Sequence, residues 1–136
     1  MDSCIFEKII KGEIPAAKVW EDENFLAFLS IAPINPGHTL VIPKKHIEYV
    51  FDLDPTDYTQ LMIACRPIAD AIKKAFNPKT GKVGILVEGT GVPHVHVHLI
   101  PVNNNGDINF SRARHDVSFE ELQENAEKIK SSLEAS

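Results

Sequence analysis

The 136 residues are enough for one domain and too few for two ordinary ones. With 43% hydrophobic and 24% charged residues, the composition is that of a folded globular chain and excludes disorder over most of its length. Fourteen basic against 19 acidic residues give a net charge of −5, and no Lys/Arg run exceeds Lys44-Lys45; binding to polymeric nucleic acid is therefore not expected, while a pocket for one phosphate remains allowed.

Ile5, Phe6, Ile9 and Ile10 have helical spacing after Ser3, which can cap the first turn, and Gly12 offers a stop. Lys18–Glu21 and Phe25–Leu29 read as two strands around the turn formers Asp22-Glu23-Asn24. After the turn residues Pro33, Asn35, Pro36 and Gly37, His38–Ile42 makes a third strand that Pro43 ends. Leu53-Asp54-Pro55 opens a long helix whose apolar stripe is Tyr58, Leu61, Cys65, Ile68, Ile72 and Phe76; because that stripe stays in phase, Pro67 predicts a bend rather than an end. Val83–Val87 is the fourth strand, and His94–Ile100, between Pro93 and Pro101, is the fifth. A polar stretch from Asn103 to Asp116 leads to a closing helix capped by Ser118 with Glu121, its stripe being Leu122, Ala126, Ile129 and Leu133. A five-stranded sheet with helices outside the βαβ rhythm is α+β.

No stretch reaches the about 18 to 20 apolar residues of a membrane helix, and Met1-Asp2-Ser3-Cys4 lacks the parts of a signal peptide; a cytoplasmic protein without a membrane partner is expected. Cys4 and Cys65 are far apart and form no CxxC pair, which predicts reduced thiols, with neither a disulfide framework nor a Cys-based zinc site.

The chemistry concentrates in His94-Val95-His96-Val97-His98. On a strand, alternate side chains share a face, so the three imidazoles line up about 6 to 7 Å apart while Val95, Val97 and Leu99 point the other way. Such a face could simply be solvated. It could hold zinc, but three histidines of one straight strand cannot converge on one ion, so a ligand such as His38, His46 or Cys4 would have to join. Or a neutral imidazole could attack phosphorus while its neighbours neutralise the phosphate oxygens.

His94 to Ile100 resembles, at every position, the motif His-φ-His-φ-His-φ-φ (φ hydrophobic) of the histidine triad (HIT) family. Upstream, Cys4–Pro15, Phe28–Pro33 and Pro36–His46 are similar to three further segments of that family, in order, so the likeness covers residues 4–101 of a single domain over 1–136, with a tail and helix over 103–136. The resemblance implies a HIT-like α+β fold, a five-stranded antiparallel sheet with a long central helix, joined across a homodimer. It implies a purine nucleotide pocket lined by Phe6, Ile9, Phe28, Leu29, Ser30 and Ile31, and hydrolysis or transfer at the α-phosphate of a nucleoside monophosphate conjugate. In its terms His96 is the nucleophile of a covalent nucleotidyl-histidine intermediate, His98 binds the phosphate, and His94 with His38 supports the site.

The sequence departs from the family pattern in several places. Ser30 stands where an aspartate or asparagine usually meets the ribose hydroxyls, and Val87 where many members have an asparagine near the leaving group. The loop Gly89–Pro93 is short and lacks a Gly-Gln-Ser/Thr phosphate contact. A nucleotide- or partner-binding module with little catalysis and a zinc-dependent hydrolase stand as alternatives. Glu7 replaces the second cysteine of members that bind zinc through CxxC, so neither a metal nor another cofactor is expected.

Overall fold

The computed structural model describes residues 4–135. In chain order the elements are α1 (Ile5–Ile10), β1 (Lys18–Glu21), β2 (Phe25–Leu29), β3 (Thr39–Pro43), α2 (Pro55–Phe76), β4 (Lys82–Leu86), β5 (Val97–Val102) and α3 (Phe119–Glu134), with single 3₁₀ turns at Val50–Asp52 and Phe110–Arg112. The strands form one antiparallel sheet in the order β1-β2-β3-β5-β4.

Both faces of the sheet centre are covered, which is why β2 and β3 read as unbroken apolar runs rather than alternating ones. On one face Ala27, Leu29, Val41, Val97 and Leu99 pack against Leu61, Cys65, Ile68 and Ile72 of α2 and Leu122, Ala126 and Ile129 of α3. On the other, Leu26, Phe28, Leu40 and Ile42 pack against Phe6 and Ile9 of α1. Helix α2 has Asp54 as N-cap and Pro55 in its first turn, and it continues through Pro67 because Cys65, Ile68 and Ile72 stay on the buried face. Ser118 caps α3 by accepting from the Glu121 N–H, as its spacing predicts.

Two expectations need correction. The cap of α1 is Cys4, whose Sγ accepts from the Glu7 N–H at 3.4 Å while the Glu7 carboxylate accepts from the Cys4 N–H; Ser3 lies outside the described residues. The fifth strand begins at Val97, not His94. In the register that pairs Val41 with Val97, Val95 would face Pro43, which has no N–H to give. β4 likewise ends at Leu86 opposite His98. Val95 donates instead to the carbonyl of Ile47, at 2.8 Å. The smaller shifts are that β3 starts at Thr39 and includes Pro43, and that Val87 falls just beyond β4.

Candidate active site

Val95, Val97 and Leu99 nevertheless enter the helix-side core as expected, which leaves the histidines between them on the other side, although His94 itself falls in a bend ahead of the strand. All three imidazoles are buried, and so is His38. The rings come closer than the backbone spacing predicts: the His96 and His98 centroids are 4.9 Å apart, and Phe6 lies edge-on to His96 at 5.0 Å. The cause is that the ring nitrogens are tied down individually.

Those ties fix where the protons sit. The Ile34 N–H donates to Nδ1 of His38 at 3.1 Å, so Nδ1 carries the lone pair and Nε2 the proton. Nε2–H of His38 then donates to Nδ1 of His98 at 2.9 Å, which leaves the proton of His98 on Nε2. His96 is arranged oppositely: its Nδ1–H donates to the carbonyl of His94 at 2.7 Å, so Nε2 holds a lone pair. The cleft thus meets a lone pair on His96 beside an N–H on His98. Burial lowers the pKa of His38 to about 3, with His98 adding to the effect, and that of His98 to about 4, with His96 adding to it; both rings are neutral near pH 7.

Gly37 makes the approach to His38 possible. It takes a φ of +95°, and a Cβ there would lie 2.7 Å from the Phe76 ring, so both conformation and space require glycine.

An apolar cleft of about 260 Å³ opens beside these rings. His96, His98 and all six pocket residues expected from the sequence line it: Phe6, Ile9, Phe28, Leu29, Ser30 and Ile31. Ile5, Ile14, Pro15, Ala16, Leu40 and Val92 complete the walls and went unassigned, although Ile5, Ile14, Pro15 and Leu40 lie in the segments that carried the resemblance. Ser30 Oγ accepts from the Ala32 N–H at 3.2 Å, which leaves its hydroxyl proton free to donate. Val87 is half-buried against the helix-side core. Lys44 pairs with Glu21 and Lys45 with Asp57, so the lysine pair serves the surface.

His94 turns away from the cleft. Its Nε2–H donates to the Pro43 carbonyl at 2.8 Å, and its Nδ1 meets Cys4 Sγ at 3.4 Å and His46 Nδ1 at 3.3 Å. Donor atoms of Cys4, His46 and His94 all lie within 4.8 Å of one another, and Glu7 Oε1 is 3.0 Å from His46 Nδ1. One thiolate and two imidazoles suit zinc, and the Pro43 bond would orient His94 from behind, so these residues could hold a divalent ion. The sequence named Cys4 and His46 as possible partners of the triad, but the structure gathers them at His94 alone. Neither His96 nor His98 contributes to this cluster.

Residues 11–105 match the HIT domain. The chain belongs to the histidine triad (HIT) family. It is 44% identical over 113 residues to Protein hit of Bacillus subtilis, covering 78% of this chain and 75% of that relative. It is 35% identical to adenosine 5′-monophosphoramidase hnt1 of Schizosaccharomyces pombe, over 96% of this chain and 98% of the relative. Among solved structures, a zinc-bound HIT family protein of Mycobacterium smegmatis superposes with a TM-score of 0.83 at 29% identity, covering 98% and 94% of the two chains. The five-stranded antiparallel sheet expected of a HIT-like fold is the one observed.

Proposed function

We propose that this HIT protein is a nucleotide hydrolase or transferase that acts at the α-phosphate of a nucleoside monophosphate conjugate. The observation that carries this is the pairing of a lone pair on His96 Nε2 with an N–H on His98 Nε2 at the edge of an apolar cleft. The base and ribose of a purine nucleotide occupy the cleft against Phe6, Ile9 and Phe28, which brings phosphorus to His96. A bond forms from Nε2 to phosphorus while the bond to the leaving group breaks, an amine departing with a proton taken from solvent and a phosphate or carboxylate departing as its anion. His98 Nε2–H holds a phosphoryl oxygen as charge develops there, and water or another acceptor then attacks phosphorus and releases His96. The kinship with a protein named as an adenosine 5′-monophosphoramidase supports an amine as one leaving group.

In this reading residues 1–136 act as one domain, and two copies join through β4, an edge strand on which Ile85 is exposed, with Met62 and Ile63 of α2 also exposed. A cytoplasmic location goes with it; no described helix is long and apolar enough to cross a membrane. A metal at Cys4, His46 and His94 would be a structural clip between α1, the 46 loop and the triad strand, since it would not touch the lone pair on His96. The expected result is that a preparation sedimenting as a dimer releases nucleoside monophosphate from adenylate or guanylate amine conjugates, with chelator leaving kcat unchanged. Loss of turnover with chelator would favour a zinc hydrolase. Nucleotide binding without turnover of any conjugate would favour a binding module.

A further inference from the structure

The polar stretch after β5 carries no motif, yet it holds a nearly closed hydrogen-bond cluster behind the site. Asp107 is 5% exposed and Asn35 7%. Asp107 Oδ2 accepts from Asn35 Nδ2 at 3.1 Å and from the N–H groups of Asn103 at 2.8 Å and Asn104 at 3.0 Å, while Oδ1 faces the Arg112 guanidinium at 3.4 Å. Asn35 also donates to the Pro101 carbonyl at 2.8 Å, and its own carbonyl accepts from the His38 N–H at 3.1 Å. The main chain on either side of Asn35 is thus the main chain that decides the proton on His38, through the Ile34 N–H. Three residues beyond Asp107, the Phe110 ring lies edge-on to His98, 5.0 Å between centroids. One turn of the tail therefore reaches the His38–His98 pair from two directions.

We propose that Asp107 is a positioning residue for His98: by holding Asn35 it fixes the loop whose Ile34 N–H sets the proton arrangement of His38 and, through it, of His98. With the loop in place, a proton on His38 Nδ1 would oppose the Ile34 N–H, so only the Nε2–H form fits. With the loop released, His38 can take the other form, His98 must then donate through Nδ1, and a lone pair on its Nε2 meets the phosphoryl oxygen where a donor is needed. The consequence for rate rests on the proposed role of His98; the proton arrangement does not.

Ring ¹⁵N–¹H correlation spectra of the full chain read that arrangement directly. Wild type shows protons on Nε2 of both His38 and His98. Asp107→Ala gives mixed forms of both rings, together with a kcat lower by on the order of tenfold and a KM within about twofold on an adenylate amine conjugate. Asp107→Asn keeps an oxygen for the Asn35, Asn103 and Asn104 donors and restores both readouts. Asn35→Ala cuts the link while leaving Asp107 its Asn103, Asn104 and Arg112 partners, and should reproduce the Asp107→Ala spectrum should that variant fail to fold. Unchanged ring protons in Asn35→Ala, or in a folded Asp107→Ala with only a lower Tm, would overturn the proposal and leave a plain structural pin. Were wild type to turn over no conjugate, the enzymatic reading would fail while the spectra still decided the role of Asp107.

Discussion

His96→Ala should lower kcat/KM on a nucleotide conjugate by roughly 10³-fold or more while nucleoside monophosphate still binds. Among the imidazoles of the described residues, His96 alone presents a lone pair at the cleft edge: His98 presents a proton there, and His38 and His94 are committed to other partners. Binding should survive because most of the cleft wall is apolar and comes from α1, β2 and the segment after it. The substitution removes an edge contact with Phe6 but leaves the carbonyl of His94 near the cleft, where water can replace the lost donor, so the fold should persist. Circular dichroism and nucleotide binding measured alongside turnover separate chemistry from folding. Full turnover by a folded His96→Ala would contradict the assignment.

His38→Ala should show the second largest effect, split between stability and rate. The ring is 1% exposed, and its removal orphans the Ile34 N–H, takes the donor from His98 Nδ1 and opens a cavity. Together these cost about 2 to 4 kcal/mol, read as a lowered midpoint of chemical unfolding. Because His38 does not line the cleft, KM should change little while kcat falls by on the order of tenfold or more. The histidine pair also sets the sign of the pH dependence. Folded His38 and His98 titrate at about 3 and about 4, whereas the unfolded chain binds protons near 6.5. The unfolded state therefore holds more protons between those values, so stability is greatest above pH 6.5 and declines as the pH falls toward 4. A wild-type unfolding midpoint that stays flat from pH 7.5 to 4.5, or a His38→Ala variant as stable and active as wild type, would contradict this account.

The alternation of histidines with the core residues Val95, Val97 and Leu99 was legible because side chains on a strand alternate with a period of two, and it reaches back past the start of the ladder at Val97. The start of the ladder was not, since it depends on Pro43, 52 positions before Val95, lacking an N–H in the facing register. The cap of α1 moved by one residue because Cys4 can accept through sulfur and Glu7 returns the bond, a pairing that the usual preference for serine hides. The six cleft residues were named through family likeness; the apolar character of five of them alone would equally have described a core, and Phe6, Ile9, Phe28 and Leu29 do belong to the two core clusters. What the sequence left open or missed lies far apart in the chain. Cys4 was one of several candidate partners of the triad, 90 positions from the His94 it meets, and the Asn35–Asp107 pair, 72 positions apart, went unseen because no local pattern links the two. Asp107 in particular reads as one more polar turn residue until the sheet brings the tail behind the Asn35 loop.

The most direct test of the central claim is intact-protein mass spectrometry during turnover of an adenylate amine conjugate and its guanylate counterpart, quenched in parallel at acid and neutral pH. The account predicts an added nucleotidyl mass that survives neutral quench, is lost in acid, and is absent from His96→Ala. Product release with the same adduct in His96→Ala, or with no adduct under rapid quench from wild type, would contradict attack by His96.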